Sequence, residues 1–259
     1  MLIKALYNGM TGMAAQMQKM DVTGNNIANL DTIGYKCQTA SFNELLRQQV
    51  TAQGMPVVPD AAAQSNQGGG AKISSINRSF SQGNMISTGR DLDLAIEGDG
   101  FFKLTRADGE VFYTRDGSFK LDSDGKIKSS EGYVLLDNEL PAGFTDLVID
   151  ETGLVTCKDR EGNKQEIGQI ELAVFPRPEL LEASGNNMFK QSDASGEPET
   201  ITPGDNNPNR ILQSYLEGSN VDLVLEVQSL IEGQRSFQLN AKSINTADQM
   251  WSIANNLQK

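Results

Sequence analysis

Histidine is missing from all 259 residues. Its absence removes the commonest general base, the commonest transition-metal ligand and every Ser-His or Cys-His nucleophile pair. Cysteine is nearly missing too: Cys37 and Cys157 stand far apart, too few for a disulfide framework and too scattered for a zinc site. Positive charge is scarce, with 22 Lys and Arg against 34 Asp and Glu and a net charge of −12, which argues against a nucleic-acid partner. No run approaches the ~18 apolar residues of a membrane helix, and mean hydropathy is −0.39. The N-terminal MLIKALYNGM lacks the apolar core of a cleaved secretory signal, so any exit from the cytoplasm is expected to use another route.

What the chain does have is the same apolar rhythm at both ends. Ile3, Leu6, Met10, Met13, Met17, Met20 and Ile27 follow in steps of three and four, with Gly24 in the missing slot. Leu223, Val227, Leu230, Phe237, Ala241 and Ile244 do the same, with Gln234 in the one polar slot, before Ala247, Trp251 and Ala254 shift the register. Alternation of three and four is the seam of a coiled coil, and the shift reads as a stammer. Residues 1–30 therefore read as a helix ending near Gly24-Asn25-Asn26. Residues 215–257 read as a second, with Ser219 or Asn220 as N-cap and Asp222 in the first turn. The methionine-rich stripe suits neighbours of slightly different shape. A seam at each terminus implies ends that meet each other or meet copies of themselves.

The middle differs. Ser41-Phe42-Asn43-Glu44-Leu45-Leu46 has a capping-box pattern and predicts a short helix, and Ala61–Ala71 is low-complexity. Over 76–175, Ala107-Asp108-Gly109, Arg115-Asp116-Gly117, Ser123-Asp124-Gly125, Ser130-Glu131-Gly132 and Glu161-Gly162-Asn163 punctuate short β-type runs. These are hairpin signals, and their close spacing predicts a small antiparallel sandwich or barrel. Pro203–Pro208 reads as a loop. The fold class is α+β: N- and C-terminal helices paired as a coiled-coil-like layer, with an antiparallel β domain inserted between them. The expected divisions are a terminal helical domain (1–35 and 215–259), extended connections (36–75 and 190–214) and a β-rich domain (76–189).

Few groups suggest chemistry. Asp122-Ser123-Asp124-Gly125 opens like a calcium loop, but Tyr133 stands where such a loop needs its bidentate Glu, so a hairpin turn is the better reading. In Asp91–Gly100 the acids alternate with apolar residues, which predicts a half-buried strand with Asp91 and Asp93 on a solvated face rather than a catalytic pair. No cofactor, no metal and no small-molecule substrate is expected, and the chain does not read as an enzyme.

Three sets of motifs resemble one family. Asn25-Asn26-Ile27-Ala28-Asn29-Leu30-Asp31-Thr32-Ile33-Gly34-Tyr35-Lys36 resembles the N-terminal signature of bacterial flagellar rod and hook proteins. Leu216-Glu217-Gly218-Ser219-Asn220-Val221-Asp222, Gln234-Arg235-Ser236-Phe237 and Ala247-Asp248-Gln249-Met250 resemble their C-terminal signature. Gly98-Asp99-Gly100-Phe101-Phe102 and Tyr113–Phe119 resemble the β domain of the larger members. The run Ser243–Met250 is most similar to the distal rod members; the other mid-sized, proximal rod subunits and hook-like proteins are the alternatives within the family.

The resemblance implies a structural subunit of the basal body, spanning the cell envelope and exported without a cleaved signal. It implies a subunit that polymerises helically through its terminal helices, forming a drive shaft that carries torque to the hook and encloses the export channel. The implied partners are copies of itself, other rod proteins and the hook, the flagellar export apparatus, and the P- and L-ring proteins where the envelope has them. The subunit-interface residues expected on this reading are Leu6, Met10, Met13, Met17, Met20, Asn26, Ile27, Asn29, Leu223, Val227, Leu230, Phe237, Ala241, Ile244 and Trp251. Asn26 and Asn29 are expected to bond backbone where the first helix ends, either across subunits or as C-caps within one. Two readings outside the family stay open. One is a soluble binding module with a helical dimerisation stalk. The other is a carboxylate hydrolase of the cell wall using the acids at 91, 93, 97 and 99.

Overall fold

The structure is a computed structural model and describes residues 2–45, 48–50, 65–141, 143–144, 146–159, 163–204 and 208–256. The chain divides into two compact units. The first comprises 1–28, 38–78 and 222–259, and the second comprises 29–37 and 79–221.

The first unit is built on the two terminal helices, α1 (Leu2–Ala28) and α2 (Leu223–Asn256). Helix α1 runs through Gly24-Asn25-Asn26 to Ala28, later than its glycine and asparagines suggest. Helix α2 is capped by neither Ser219 nor Asn220. The Asp222 carboxylate accepts hydrogen bonds from the backbone N–H of Val224 (2.8 Å) and Leu225 (3.2 Å), which is the N-cap role. Its carboxylate there also offsets the positive end of the helix dipole.

Beside the helices lies an antiparallel ladder of Gln38–Glu44 and Ala71–Arg78, with a bulge between Ser41 and Phe42. The expected helix at 41–46 is therefore not formed over 41–44; Leu46 lies outside the described residues. A capping box stabilises a helix by about 1 kcal/mol. The eight-residue strand Ala71–Arg78 offers Gln38–Glu44 a whole ladder of backbone bonds instead, so tertiary pairing outweighs the local signal. A second pair, Gln48–Val50 with Ser65–Gln67, completes the strands of this unit among the described residues. Of the Ala61–Ala71 stretch, 61–64 lie outside the described residues, Ser65–Gln67 form a strand and Ala71 opens the next.

Among the described residues the strands of the second unit all pair antiparallel, with one short 3-10 turn at Pro178–Leu180. Its main sheet orders Glu182–Gly185, Met188–Lys190, Val111–Thr114, Phe101–Thr105, Val134–Leu136, Ile127–Ser129 and Phe119–Leu121 side by side. Leu172–Val174 joins it by pairing with both Phe101–Thr105 and Glu199–Ile201. Asp146–Ile149, Leu154–Lys158 and Lys164–Gln169 form a three-stranded meander. Leu94–Glu97 pairs with Arg210–Gln213, and Met85–Ser87 with Tyr215–Glu217. The main core gathers Leu94, Ile96, Phe102, Leu104, Phe119, Ile127, Val155 and Leu172. A second, aromatic cluster sets Phe80, Phe175 and Phe189 edge to face around Phe101, with Tyr113 edge to face on Phe175.

Three of the expected turns form. Asp108-Gly109, Asp124-Gly125 and Glu131-Gly132 connect neighbouring antiparallel strands, each glycine at positive φ. Arg115-Asp116-Gly117 is not a hairpin: Val111–Thr114 and Phe119–Leu121 lie apart in the sheet. Gly117 instead passes so close to Leu94 that an added Cβ would overlap the Leu94 carbonyl, and Leu94 N–H donates to the Gly117 carbonyl at 3.0 Å. The segment around 94 also departs from expectation. Leu94, Ala95 and Ile96 are all buried, and Asp93 is buried with them, so this strand is covered on both faces rather than alternating between core and water. Part of the Glu161–Asn163 turn and of the Pro203–Pro208 loop lies outside the described residues.

Candidate functional site: the helix pair and a buried ion network

Within the first unit, α1 and α2 run antiparallel. A Cβ on Gly9 would meet Ile244, one on Gly12 would meet Asn240, and one on Gly233 would meet Met20, each within 3 Å. At the far end Asn26 reaches Glu226. As residue numbers rise along one helix they fall along the other.

The side that α1 buries is not the methionine stripe. Among the described residues its buried positions are Gly9, Ala15, Val22, Thr23 and Asn26, one or two residues before the slots of the 3-4 pattern. Helix α2 buries Gly233 and Ala247 with Asn240 half-buried between them; Gly233 and Asn240 each stand one residue before a slot of its pattern, and Ala247 is where that pattern changes register. Small residues let the two backbones approach. That explains glycines in helix interiors, where each otherwise costs about 1 kcal/mol relative to alanine.

The apolar stripes thus lie on the flanks of the contact. Leu6, Met13, Met20 and Ile27 of α1 and Leu230, Phe237, Ala241 and Ile244 of α2 are half-buried. Met10, Met17, Leu223, Val227 and Trp251 are 40% or more exposed, and so are Tyr7, Val224, Leu225, Ile231, Leu239, Met250 and Ile253. Singly such residues need no explanation, but this many on one helix pair form a surface that calls for a partner.

Asn26 is buried in the same unit and acts there. Its amide oxygen accepts from Gln38 N–H (3.0 Å) while its Nδ2 donates to the Gln38 carbonyl (2.8 Å) and to Glu226 Oε1 (2.9 Å). One side chain thereby ties the end of α1 to the first strand and to α2. Asn29, in the second unit, closes a turn: Thr32 N–H donates to its carbonyl and Thr32 Oγ1 to its Oδ1.

The second unit holds a feature the sequence patterns did not single out. Lys36 Nζ lies 2.7 Å from Glu217 Oε1 with neither side chain exposed to solvent. Gly83 N–H donates to the same oxygen at 2.8 Å, and Arg115 Nη1 approaches Glu217 Oε2 at 3.2 Å. Lys36 Nζ also donates to the Ser81 carbonyl and Arg115 Nη2 to the Gly98 carbonyl. The Arg115 guanidinium sits 5.4 Å from the centre of the Phe101 ring. Burial pushes the pKa of both cations down from their ordinary values, while Glu217, and more weakly Asp99, pull them back up. The Arg115 Nε is buried with no hydrogen-bond partner among the described residues.

The three charged members and Gly98 come from four different family motifs, whereas Ser81 and Gly83 lie in none of them. Lys36 ends the Asn25–Lys36 motif, Arg115 lies in Tyr113–Phe119, Gly98 opens Gly98–Phe102, and Glu217 lies in Leu216–Asp222.

Nothing in the described residues gathers three or more metal-ligating side chains. The four acids once weighed as catalytic do not converge: Asp93 is buried with Arg90 Nη1 at 3.3 Å, whereas Asp91, Glu97 and Asp99 are exposed. Among the described residues no helix is long and apolar enough to cross a membrane. Cys37 and Cys157 do not form a disulfide.

Comparison with known proteins places the same stretches. Residues 6–36 match the family model described as flagella basal body rod protein, 95–157 the flagellar hook protein FlgE/F/G D1 domain, and 212–257 the flagellar basal body rod FlgEFG protein C-terminal. The chain is 41% identical to the flagellar basal-body rod protein FlgG of Agrobacterium fabrum, over 97% of this chain and 98% of that one. It is 40% identical to FlgG of Borreliella burgdorferi over the whole of both chains, and 35% identical to FlgG of Bacillus subtilis, again over the whole of both.

Proposed function

The chain belongs to the flagellar basal-body rod protein family, and on that premise we propose how its terminal helices build the rod. It is a structural subunit of the basal body, of the distal-rod type, that assembles with other rod and hook proteins. Copies of the chain polymerise helically through α1 and α2. The small-residue stripes pair the two helices inside one subunit, and the apolar flanks meet neighbouring copies.

The observation that carries this reading is the division of labour on the helix pair. Gly9, Gly233 and Ala247 are buried inside, while Met10, Met17, Leu223, Val224, Leu225, Val227, Leu239 and Trp251 remain outside. Removing such side chains from water contributes about 25 cal/mol per Å² of apolar surface, far more than rim charges supply. Two different faces meeting, rather than one face meeting itself, give an open helix of subunits. Methionine on the outer flank tolerates the unequal neighbours that a rod subunit meets at its two ends.

On this reading the subunit interface comprises the flanking residues of both helices, whereas Asn26, being buried, shapes the surface from within. The chain does no catalysis. It leaves the cell through the flagellar export apparatus with its terminal helices unpaired, which fold on assembly. Where the envelope carries P- and L-rings, the β unit is the surface available to them.

A helical reconstruction of isolated basal bodies tests the assembly. The expected result has the exposed flanks of α1 and α2 buried against adjacent copies around a central channel. Finding those side chains in solvent, or finding a discrete soluble dimer by light scattering as the only assembled form, would overturn it.

A further inference from the structure

Residues 29–37 are the only part of the first 78 that belongs to the second unit. They form no strand. Their backbone is held by single bonds to four distant points. Asn187 Nδ2 donates to the Ile33 carbonyl, Gly34 N–H to the Glu217 carbonyl, Cys37 N–H to Asn220 Oδ1, and Ser79 N–H to the Cys37 carbonyl, at 2.7–2.8 Å. Tyr35 is the one fully buried apolar side chain of the segment.

Glu217 holds this segment twice. Its carbonyl accepts from Gly34 and its carboxylate accepts from Lys36, while Gly83 and Arg115 fix the carboxylate from the other side. Gly34 is at φ +66, and a Cβ there would come within 3 Å of the Arg115–Asp116 backbone, so the segment seats only as glycine.

From this geometry we propose that Asn29–Cys37 is a strap, latched by Glu217, which opens by itself before the β core unfolds. The strap adds no side chain to either apolar cluster of the unit and is tied by isolated polar bonds, which places it at the weak end of the unit's local stabilities. The core strands depend on Leu94, Phe102, Leu104 and Leu172, none of which the strap supplies. The latch is incomplete until Tyr215–Glu217 has paired with Met85–Ser87, so the strap closes after the C-terminal half of the unit is built. In the closed state Lys36 is inaccessible; in the open state it is a site for trypsin.

Hydrogen exchange and limited proteolysis on the full chain test this with Glu217→Gln and Lys36→Met. In Glu217→Gln, the strap amides of Gly34 and Cys37 are expected to exchange about tenfold faster or more, with cleavage after Lys36. The amides of Phe101–Thr105 are expected to keep their wild-type rate. Lys36→Met leaves Glu217 with Arg115 and Gly83, so it folds even if the first variant does not. It should speed the strap by a smaller factor, again with the core unmoved. Equal acceleration of strap and core in the folded variant, or an unmoved strap in Lys36→Met, would overturn the proposal.

Discussion

Gly9 stands so close to Ile244 that an added Cβ would lie 2.8 Å from Ile244 Cγ1. The helices touch there with no room for one more carbon, and the consequence is measurable. Gly9→Val should force α1 away from α2 and lower stability by about 1–3 kcal/mol, the usual cost of overpacking. Gly12→Ala meets only the amide end of Asn240, which can swing aside. That variant should be neutral or slightly stabilising, since alanine gains up to about 1 kcal/mol of helix propensity. Urea unfolding followed by far-ultraviolet circular dichroism checks the pair; equal losses would mean the helices are not in close contact at Gly9.

The outer flank invites a different substitution. Val224 is 75% exposed and Leu239 68% exposed in the single chain. Val224→Asp or Leu239→Asp should leave the subunit's melting temperature within a degree or two, because exposed changes fall within about 0.5 kcal/mol. Each should cripple rod assembly and swimming, since a charge buried at an interface without a partner is strongly unfavourable. Normal motility from both variants would remove the helix flank from the interface.

Asn26 serves both the N–H and the C=O of Gln38. Asn26→Ala removes its bonds to the Gln38 N–H and C=O and its bond to Glu226. The expected loss is about 1–3 kcal/mol, felt in the helical unit. Asn26→Asp should be worse than a conservative change suggests, because the new carboxylate faces both the Gln38 carbonyl and Glu226. Calorimetry of the two variants tests the ranking; an Asp variant as stable as wild type would exclude the bidentate role.

Cys157 is buried, and burial raises its thiol pKa above the ordinary 9.0, with nearby Asp159 adding to the rise. The unfolded chain then releases this proton at lower pH than the folded one. Its contribution to stability is complete below pH 9 and declines as pH climbs beyond it. Cys157→Ala should flatten that alkaline decline. In the native wild type, maleimide should label Cys37 well before Cys157. Fast labelling of Cys157 at neutral pH would contradict its burial.

The two terminal helices and the hairpin turns at Asp108-Gly109, Asp124-Gly125 and Glu131-Gly132 are written into the sequence by itself. Helical spacing and Asp-Gly turns are local properties, decided within a few residues of each position. The family motifs are equally legible, because they are strings.

Tertiary structure decided the rest. It turned 41–44 into strand by supplying Ala71–Arg78 as a partner. It covered both faces of Leu94–Ile96, and it converted Arg115-Asp116-Gly117 from a turn into a close crossing. It also chose which side of each helix faces the other. The 3-4 pattern locates an apolar stripe, but close approach of two backbones favours small residues such as Gly9 and Gly233 beside it. Most of all, it brought Lys36 to Glu217 across 181 residues of sequence. No local pattern records whether a charge will be buried, because burial depends on what the distant chain places around it.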